Sequence, residues 1–191
     1  MKKTSLRFRY NSPVVLTFAL ISLVVLLAGE VTGGEARRLY FSVYSFPPDQ
    51  PLGYVRLLTH VLGHSSWEHY TGNITLMLVI GPTLEHRYGS MTILKCIALT
   101  AIVTGAAQCL LFPGVALCGA SGVVFMMILL ASMGGSRGGG IPLTMVAVAI
   151  FYLGGEVAAA ISVRDNISQL SHILGGVCGA GMGFYLASKE R

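Results

Sequence analysis

The chain has 191 residues, of which 53% are hydrophobic and only 11% are charged, and its mean hydropathy is +0.70. A soluble domain carries roughly a quarter charged residues to keep its surface hydrated, so this composition predicts a membrane protein and excludes a disordered chain. The formal net charge of +5 does not indicate a nucleic-acid-binding protein, because Lys and Arg lie at the chain ends and in short connections.

Six stretches of the chain are apolar and long enough to be candidate membrane spans. A spanning helix needs about 20 mostly apolar residues, because the hydrocarbon core is ~30 Å thick and each helical residue rises about 1.5 Å. The stretches predict one all-α transmembrane domain over residues 1–191, with spans at residues 13–29, 67–84, 91–112, 118–133, 141–163 and 167–187. The basic segment before the first stretch also resembles a signal peptide, but no small-x-small cleavage site follows Leu27, which favours a retained helix.

The distribution of positive charge predicts how the chain is oriented in the bilayer. Basic residues collect in the short loops on the cytoplasmic side of membrane proteins. With the N-terminus inside, the inner side holds nine of them (Lys2, Lys3, Arg7, Arg9, Arg87, Lys95, Arg137, Lys189 and Arg191) and the outer side four (Arg37, Arg38, Arg56 and Arg164). We therefore expect a multi-pass protein of the cell membrane with both termini in the cytoplasm.

The longest connection, residues 30–66, lies on the outer side in this topology. It contains three prolines and several aromatic side chains of the kind that settle at the lipid headgroups (Tyr40, Phe41, Tyr44, Phe46 and Tyr54). Long structured loops are often functional. We therefore expect this loop to be partly embedded in the membrane interface.

Polar residues near the start of the second span are candidates for function, because a polar group in hydrocarbon is costly. His69 and Asn73 are four residues apart, which places them on one face of a helix. His60 and His64 precede them. A metal site is one interpretation of these histidines, but no carboxylate lies at a matching interval. Hydrogen bonding at the junction between loop and helix is the other interpretation.

Ser121 and His172 form the second candidate set. Ser121 begins the fourth span, where unpaired backbone N–H groups and the helix dipole favour an anionic oxygen. His172 lies near the outer start of the last span, and glycines 175, 179 and 183 follow it at four-residue intervals. Such a small-residue stripe lets two helices approach closely. If the fourth span is the neighbour, hydroxyl and imidazole can come within ~3 Å, as a nucleophile and its base require.

These elements together resemble the rhomboid family of intramembrane serine proteases over nearly all of the chain. The matching motifs are His60-xxx-His64-xxxx-His69-xxx-Asn73, Gly81-xxx-Glu85-xxx-Gly89, Gly119-Ala120-Ser121-Gly122 and His172-xx-Gly175-xxx-Gly179, and Arg56 is similar to the family's outer-loop arginine. The resemblance implies the six-helix rhomboid-like bundle with a long outer loop between its first two helices.

The resemblance also implies roles for individual residues. Ser121 would be the nucleophile and His172 the general base, without a carboxylate partner. Oxyanion-side candidates would be Asn73, His69 and the N–H groups of Ser121 and Gly119, whereas His64, Glu85 and Arg56 would be structural. Phe125 stands where many relatives have a tyrosine stacked under the histidine, so stacking is kept and a phenol hydrogen bond is lost.

The implied reaction is hydrolysis of a peptide bond near the outer end of another membrane-spanning helix. Transmembrane proteins and the lipid bilayer are then the expected partners, and neither a metal nor an organic cofactor is needed. One alternative is a catalytically inert rhomboid-like protein that binds membrane helices, although such relatives usually lack the serine or the histidine. Another is a transporter that uses His60, His64 and His69. Transporters place coupling residues near the bilayer midplane, whereas these histidines are expected toward the outer face.

Overall fold

The computed structural model describes residues 10–133, 141–154 and 166–189, and within these ranges helices are joined by turns and loops that contain one isolated β-bridge. The helices are α1 (Pro13–Val31), α2 (Glu35–Tyr40), α3 (Pro51–Thr59), a 3-10 turn (His60–Leu62), α4 (Trp67–Tyr88), α5 (Ser90–Leu111), α6 (Ser121–Ser132), α7 (Leu143–Val148) with a following π-helical turn (Ala149–Leu153), and α8 (Asn166–Lys189). The predicted all-α class is confirmed for these residues.

Three of the described helices are long and apolar enough to cross a bilayer: α1, α5 and the part of α8 from Gln169 to Lys189. They correspond to the first, third and sixth predicted spans. The 22 residues of α4 would extend roughly 33 Å, but polar residues at both ends reduce its hydropathy. The fourth predicted span contains a helix of only 12 residues, α6. Residues 155–163 of the fifth predicted span lie outside the described residues, so the count of six remains a prediction.

Glu85 of α4 joins α4 to the start of α1. Its two carboxylate oxygens accept hydrogen bonds from the backbone N–H groups of Val14 and Val15, each at 3.0 Å, and the Ser90 hydroxyl donates to Oε1 at 2.7 Å. The first N–H groups of a helix lack intrahelical acceptors and carry positive partial charge, which stabilises a buried carboxylate. Gly81 permits the contact, since a Cβ there would lie 2.7 Å from Val15 Cγ2.

Helix α6 runs through the apolar core, and its backbone packs directly against glycines of α8. Its buried side chains include Val123, Val124, Met126, Met127, Leu129 and Leu130. A Cβ on Gly175 would lie 2.0 Å from the Gly122 carbonyl oxygen, and one on Gly179 would lie 2.2 Å from that of Met126. The predicted glycine stripe of the last helix therefore faces the helix that begins with Ser121.

The segment between α1 and α4 folds back onto the end of the bundle where α6 begins. Val43 and Leu117 exchange two backbone hydrogen bonds of 2.9 Å, which tie this segment to the turn before α6. Arg56 is buried, and its guanidinium lies 4.0 Å from the Tyr44 ring centroid, where the cation interacts with the face of the ring. We call this end of the bundle the loop end. Its depth in the membrane interface remains a prediction.

Replacing Glu85 tests its role as the cap of α1. Glu85→Gln removes the charge from a buried acceptor of three hydrogen bonds, so the free energy of unfolding in detergent should fall by at least ~2 kcal/mol. Glu35→Gln is the matched control, because Glu35 is exposed and its ion pair with Arg38 lies on the surface. Equal stability of the two variants would contradict the capping role.

The contact between α6 and α8 can be tested with alanine. In Gly179→Ala the new methyl group meets a backbone carbonyl that cannot rotate away, so we expect a loss of ~1–3 kcal/mol in thermal or denaturant unfolding. Gly181→Ala on the same helix has no atom within 4 Å of the new methyl group. That control should be neutral or slightly stabilising, because alanine is the better helix former. If both variants had the same stability, the close contact would not exist.

Candidate active site

Ser121 is the first residue of α6, and the backbone before it sets its position. Gly119 has φ +131°, a region that favours glycine, and Ala120 is fully buried. The fourth predicted span therefore becomes helical three residues later than its predicted start. Ser121 itself is partly exposed at the loop end. As the first residue of α6, it lies at the positive end of the helix dipole, where backbone N–H groups have no intrahelical acceptor.

His172 packs on the same face of α6 that carries Ser121. Its imidazole stacks on the ring of Phe125 with a centroid distance of 4.4 Å and an interplanar angle of 5°. Phe125 is four residues after Ser121, so the two side chains are neighbours on α6. The preceding residue of α8, Ser171, packs on the first turn of α6, since a Cβ on Gly122 would lie 2.9 Å from its Oγ. Ser171 and His172 of α8 thus pack against the first two turns of α6, the helix that begins with Ser121.

His69 of α4 closes the site on the side of Gly119. A Cβ on Gly119 would lie 2.6 Å from His69 Nε2, so any side chain at position 119 would collide with the imidazole. Asn73 lies one helical turn further, is buried, and donates from Nδ2 to the His69 carbonyl oxygen at 2.9 Å. One N–H of its amide is used in this bond, and the second remains for another acceptor.

The geometry changes the role expected of Gly119. Its N–H donates to the His60 carbonyl oxygen at 3.0 Å, so this group is directed at the loop and not at a reacting oxygen. What Gly119 contributes is space for the His69 ring. The oxyanion-side candidates that remain are the N–H of Ser121 and the side chains of His69 and Asn73.

His60 and His64 hold the loop end together. Buried His60 donates from Nδ1 to the Arg56 carbonyl oxygen at 3.1 Å, and its Nε2 lies 3.3 Å from Thr104 Oγ1 of α5. His64 donates from Nδ1 to the Leu62 carbonyl oxygen at 3.2 Å and meets the His69 ring edge-on, with centroids 5.1 Å apart. These contacts favour the hydrogen-bonding interpretation of both residues. Among the residues described, His, Cys, Asp and Glu side chains form no group of three that could hold a metal ion.

Two serines before α4 support His69 and were not singled out in the sequence. The Ser66 side chain accepts a hydrogen bond of 3.1 Å from the His69 backbone N–H and caps the helix. Ser65 Oγ lies 3.1 Å from His69 Nδ1. A serine directly before a helical pattern is a recognisable cap signal, so the Ser66 contact was accessible from sequence. The Ser65 contact depends on the path of the loop.

Because two histidines are buried, the stability of the folded protein should depend on pH. Burial lowers the pKa of both His60 and His64 to about 4, so both are neutral in the folded protein at pH 7. In the unfolded chain they bind protons below about pH 6.5. The free energy of unfolding is therefore highest above that pH. It falls as pH decreases from 6.5 toward 4, by ~2 kcal/mol per histidine at pH 5, because the unfolded chain binds protons that the folded protein does not.

Unfolding in detergent between pH 7.5 and pH 5 measures this effect. His60→Asn should reduce the loss of stability on acidification, whatever its effect at pH 7.5. His86→Asn replaces an exposed histidine of α4 and should keep the wild-type pH dependence. A wild-type stability that is constant over this range would show that the histidines are not held neutral.

Two comparisons with known proteins bear on the family of this chain. A search of curated proteins found no match. The family model of the rhomboid domain matches residues 51–189, a range that contains α3 to α8 and every side chain of the candidate site. The chain therefore belongs to the rhomboid family.

Proposed function

We propose that this protein is an intramembrane serine endopeptidase that cleaves other membrane-spanning helices. The observation that carries the proposal is the position of His172, which stacks on Phe125 over the face of α6 that begins with Ser121. Most members of the rhomboid family are proteases of this kind, and some are inactive.

In the proposed reaction Ser121 is the nucleophile and His172 is the general base. Ser121 Oγ attacks the carbonyl carbon of the scissile peptide bond while the imidazole takes the hydroxyl proton. No carboxylate is assigned to orient the imidazole. Stacking between parallel rings fixes its plane instead, and the packing of Gly175 on Gly122 fixes the distance between the two helices.

The negative charge that develops on the carbonyl oxygen needs hydrogen-bond donors. We assign this role to the N–H of Ser121, to His69 and to the free N–H of the Asn73 amide. A well-placed donor of this kind contributes ~3 kcal/mol to transition-state stabilisation. The helix dipole of α6 acts in the same direction.

The second half of the reaction releases both products. His172 returns the proton to the leaving amine as the peptide C–N bond breaks, which leaves an ester between Ser121 and the acyl part of the substrate. Water then attacks the ester, again with His172 as base, and frees the carboxylate product and the serine. This sequence uses water as its only co-substrate and requires neither a metal nor an organic cofactor.

The proposed substrate is a transmembrane helix cleaved near its outer end. We assign the loop end to the outer side of the cell membrane and both termini to the cytoplasm, because this orientation leaves most basic residues inside. A helical substrate hides its carbonyl groups in backbone hydrogen bonds, so it must unwind locally before attack. Glycine or proline near the scissile bond lowers the cost of unwinding.

Replacing the two catalytic residues tests the proposal directly. Ser121→Ala and His172→Ala should each reduce cleavage of a transmembrane model substrate in detergent or liposomes by at least ~10³-fold, because each removes one half of the dyad. A fluorophosphonate probe should label wild-type protein and not Ser121→Ala. Mass spectrometry of the labelled peptide identifies the modified residue.

Ser132→Ala is the matched control for these variants. Ser132 lies at the other end of α6 and donates to the Leu129 carbonyl oxygen of its own helix at 2.6 Å, so its loss should leave cleavage unchanged. Cleavage by Ser121→Ala at the wild-type rate would exclude the mechanism. A folded wild-type protein that binds transmembrane helices without cleaving them would identify an inert helix-binding member of the family. Uptake by liposomes containing the protein would identify a transporter.

A further inference from the structure

Ser65 presents two hydrogen-bonding groups to one nitrogen of the His69 ring. Its hydroxyl oxygen lies 3.1 Å from His69 Nδ1, and its backbone N–H donates to the same nitrogen at 3.4 Å. The opposite side of the ring, with Nε2, faces Gly119 in the turn before Ser121. His69 therefore spans the space between the serine of the loop and the start of α6.

These contacts determine where the neutral imidazole carries its proton. A backbone N–H can only donate, so the nitrogen that it meets must offer a lone pair. Nδ1 is therefore unprotonated, and the Ser65 hydroxyl, which can donate or accept, also donates to it. The ring proton is then on Nε2, the nitrogen directed at Gly119. The neighbouring His64 ring meets the His69 ring edge-on, with centroids 5.1 Å apart, and does not oppose this assignment.

We propose that Ser65 is a positioning residue that holds His69 in the Nε2–H tautomer, so that His69 can donate a hydrogen bond to the reacting oxygen. This inference rests on the proposed function, in which that oxygen is the carbonyl oxygen of the scissile bond. In the other tautomer Nε2 would present a lone pair to a developing negative charge and would repel it. The adjacent Ser66 fixes the backbone of His69 through its bond of 3.1 Å to the His69 N–H. Ser66 thus fixes the backbone position of His69, and Ser65 fixes the tautomer of its ring.

A purely structural role for Ser65 makes a different prediction. Ser65 is exposed, so removing its hydroxyl buries no unsatisfied group and leaves no cavity. If the residue only closed the loop, Ser65→Ala would alter neither the ring tautomer nor the rate. If it positions His69, the variant should lower kcat while KM stays the same, because the lost interaction acts in the transition state.

The experiment compares Ser65→Ala and Ser65→Thr with the wild-type protein by two measurements. Nitrogen-15 NMR of the histidine rings distinguishes a protonated from an unprotonated nitrogen, and the His69 signals are identified by their loss in His69→Gln. Ser65→Ala keeps the backbone N–H at 3.4 Å but loses the closer hydroxyl donor at 3.1 Å, so the Nδ1 and Nε2 signals of His69 should shift part of the way toward a mixture of tautomers. The value of kcat should fall roughly 3- to 10-fold, the effect of one hydrogen bond. Ser65→Thr keeps the hydroxyl and should restore both readouts.

Thr71→Ala is the control, from the same helix α4 that carries His69. The Thr71 hydroxyl is exposed and donates to the carbonyl oxygens of Trp67 and Glu68 in its own helix, so its removal should leave the His69 signals and kcat unchanged. Unchanged His69 signals in Ser65→Ala would overturn the inference, as would a failure of Ser65→Thr to restore them. The NMR measurement needs no substrate. A tautomer shift in a protein that cleaves nothing would therefore support the Ser65 contact and reject the protease function separately.

Discussion

The contact between α6 and α8 at the level of their backbones is the constraint on which the site depends. Gly175 and Gly179 leave no room for a methyl group between the helices, since their neighbours are the carbonyl oxygens of Gly122 and Met126. In a membrane, helix association has little hydrophobic driving force and relies on close van der Waals packing. The same packing that holds the bundle together therefore also sets the distance between the helix that begins with Ser121 and the helix that carries His172.

Several polar groups meet backbone atoms at the ends of helices and in the turns between them. Glu85 caps the start of α1, Ser66 caps α4, and the His60 carbonyl oxygen accepts the N–H of Gly119 just before α6. Each of these contacts satisfies a backbone N–H group, and at Glu85 this offsets the cost of burying the carboxylate. The polar residues of the motifs thus divide into those that hold the frame and those that face the candidate site.

The candidate site is assembled from short-range contacts around α6. The Phe125 ring stacks on the imidazole of His172, and Gly119 leaves space for His69 beside the first turn of α6. Ser65 reaches His69 from the loop before α4. In the proposed reaction the stacking on Phe125 orients the His172 ring, and the contacts of Ser65 set the tautomer of His69.

The sequence alone determined the membrane class, the positions of most helices and the motifs that place the chain in the rhomboid family, because hydropathy and motif spacing are local properties of the chain. It also indicated that the glycine stripe after His172 faces a neighbouring helix, since a four-residue period defines one helical face. The tertiary structure alone decided that the Gly119 N–H bonds to the His60 carbonyl oxygen, that Glu85 caps α1, and that Ser65 contacts His69. These contacts join residues through a turn or across separate helices, and neither hydropathy nor spacing along the chain records which backbone group lies next to which side chain.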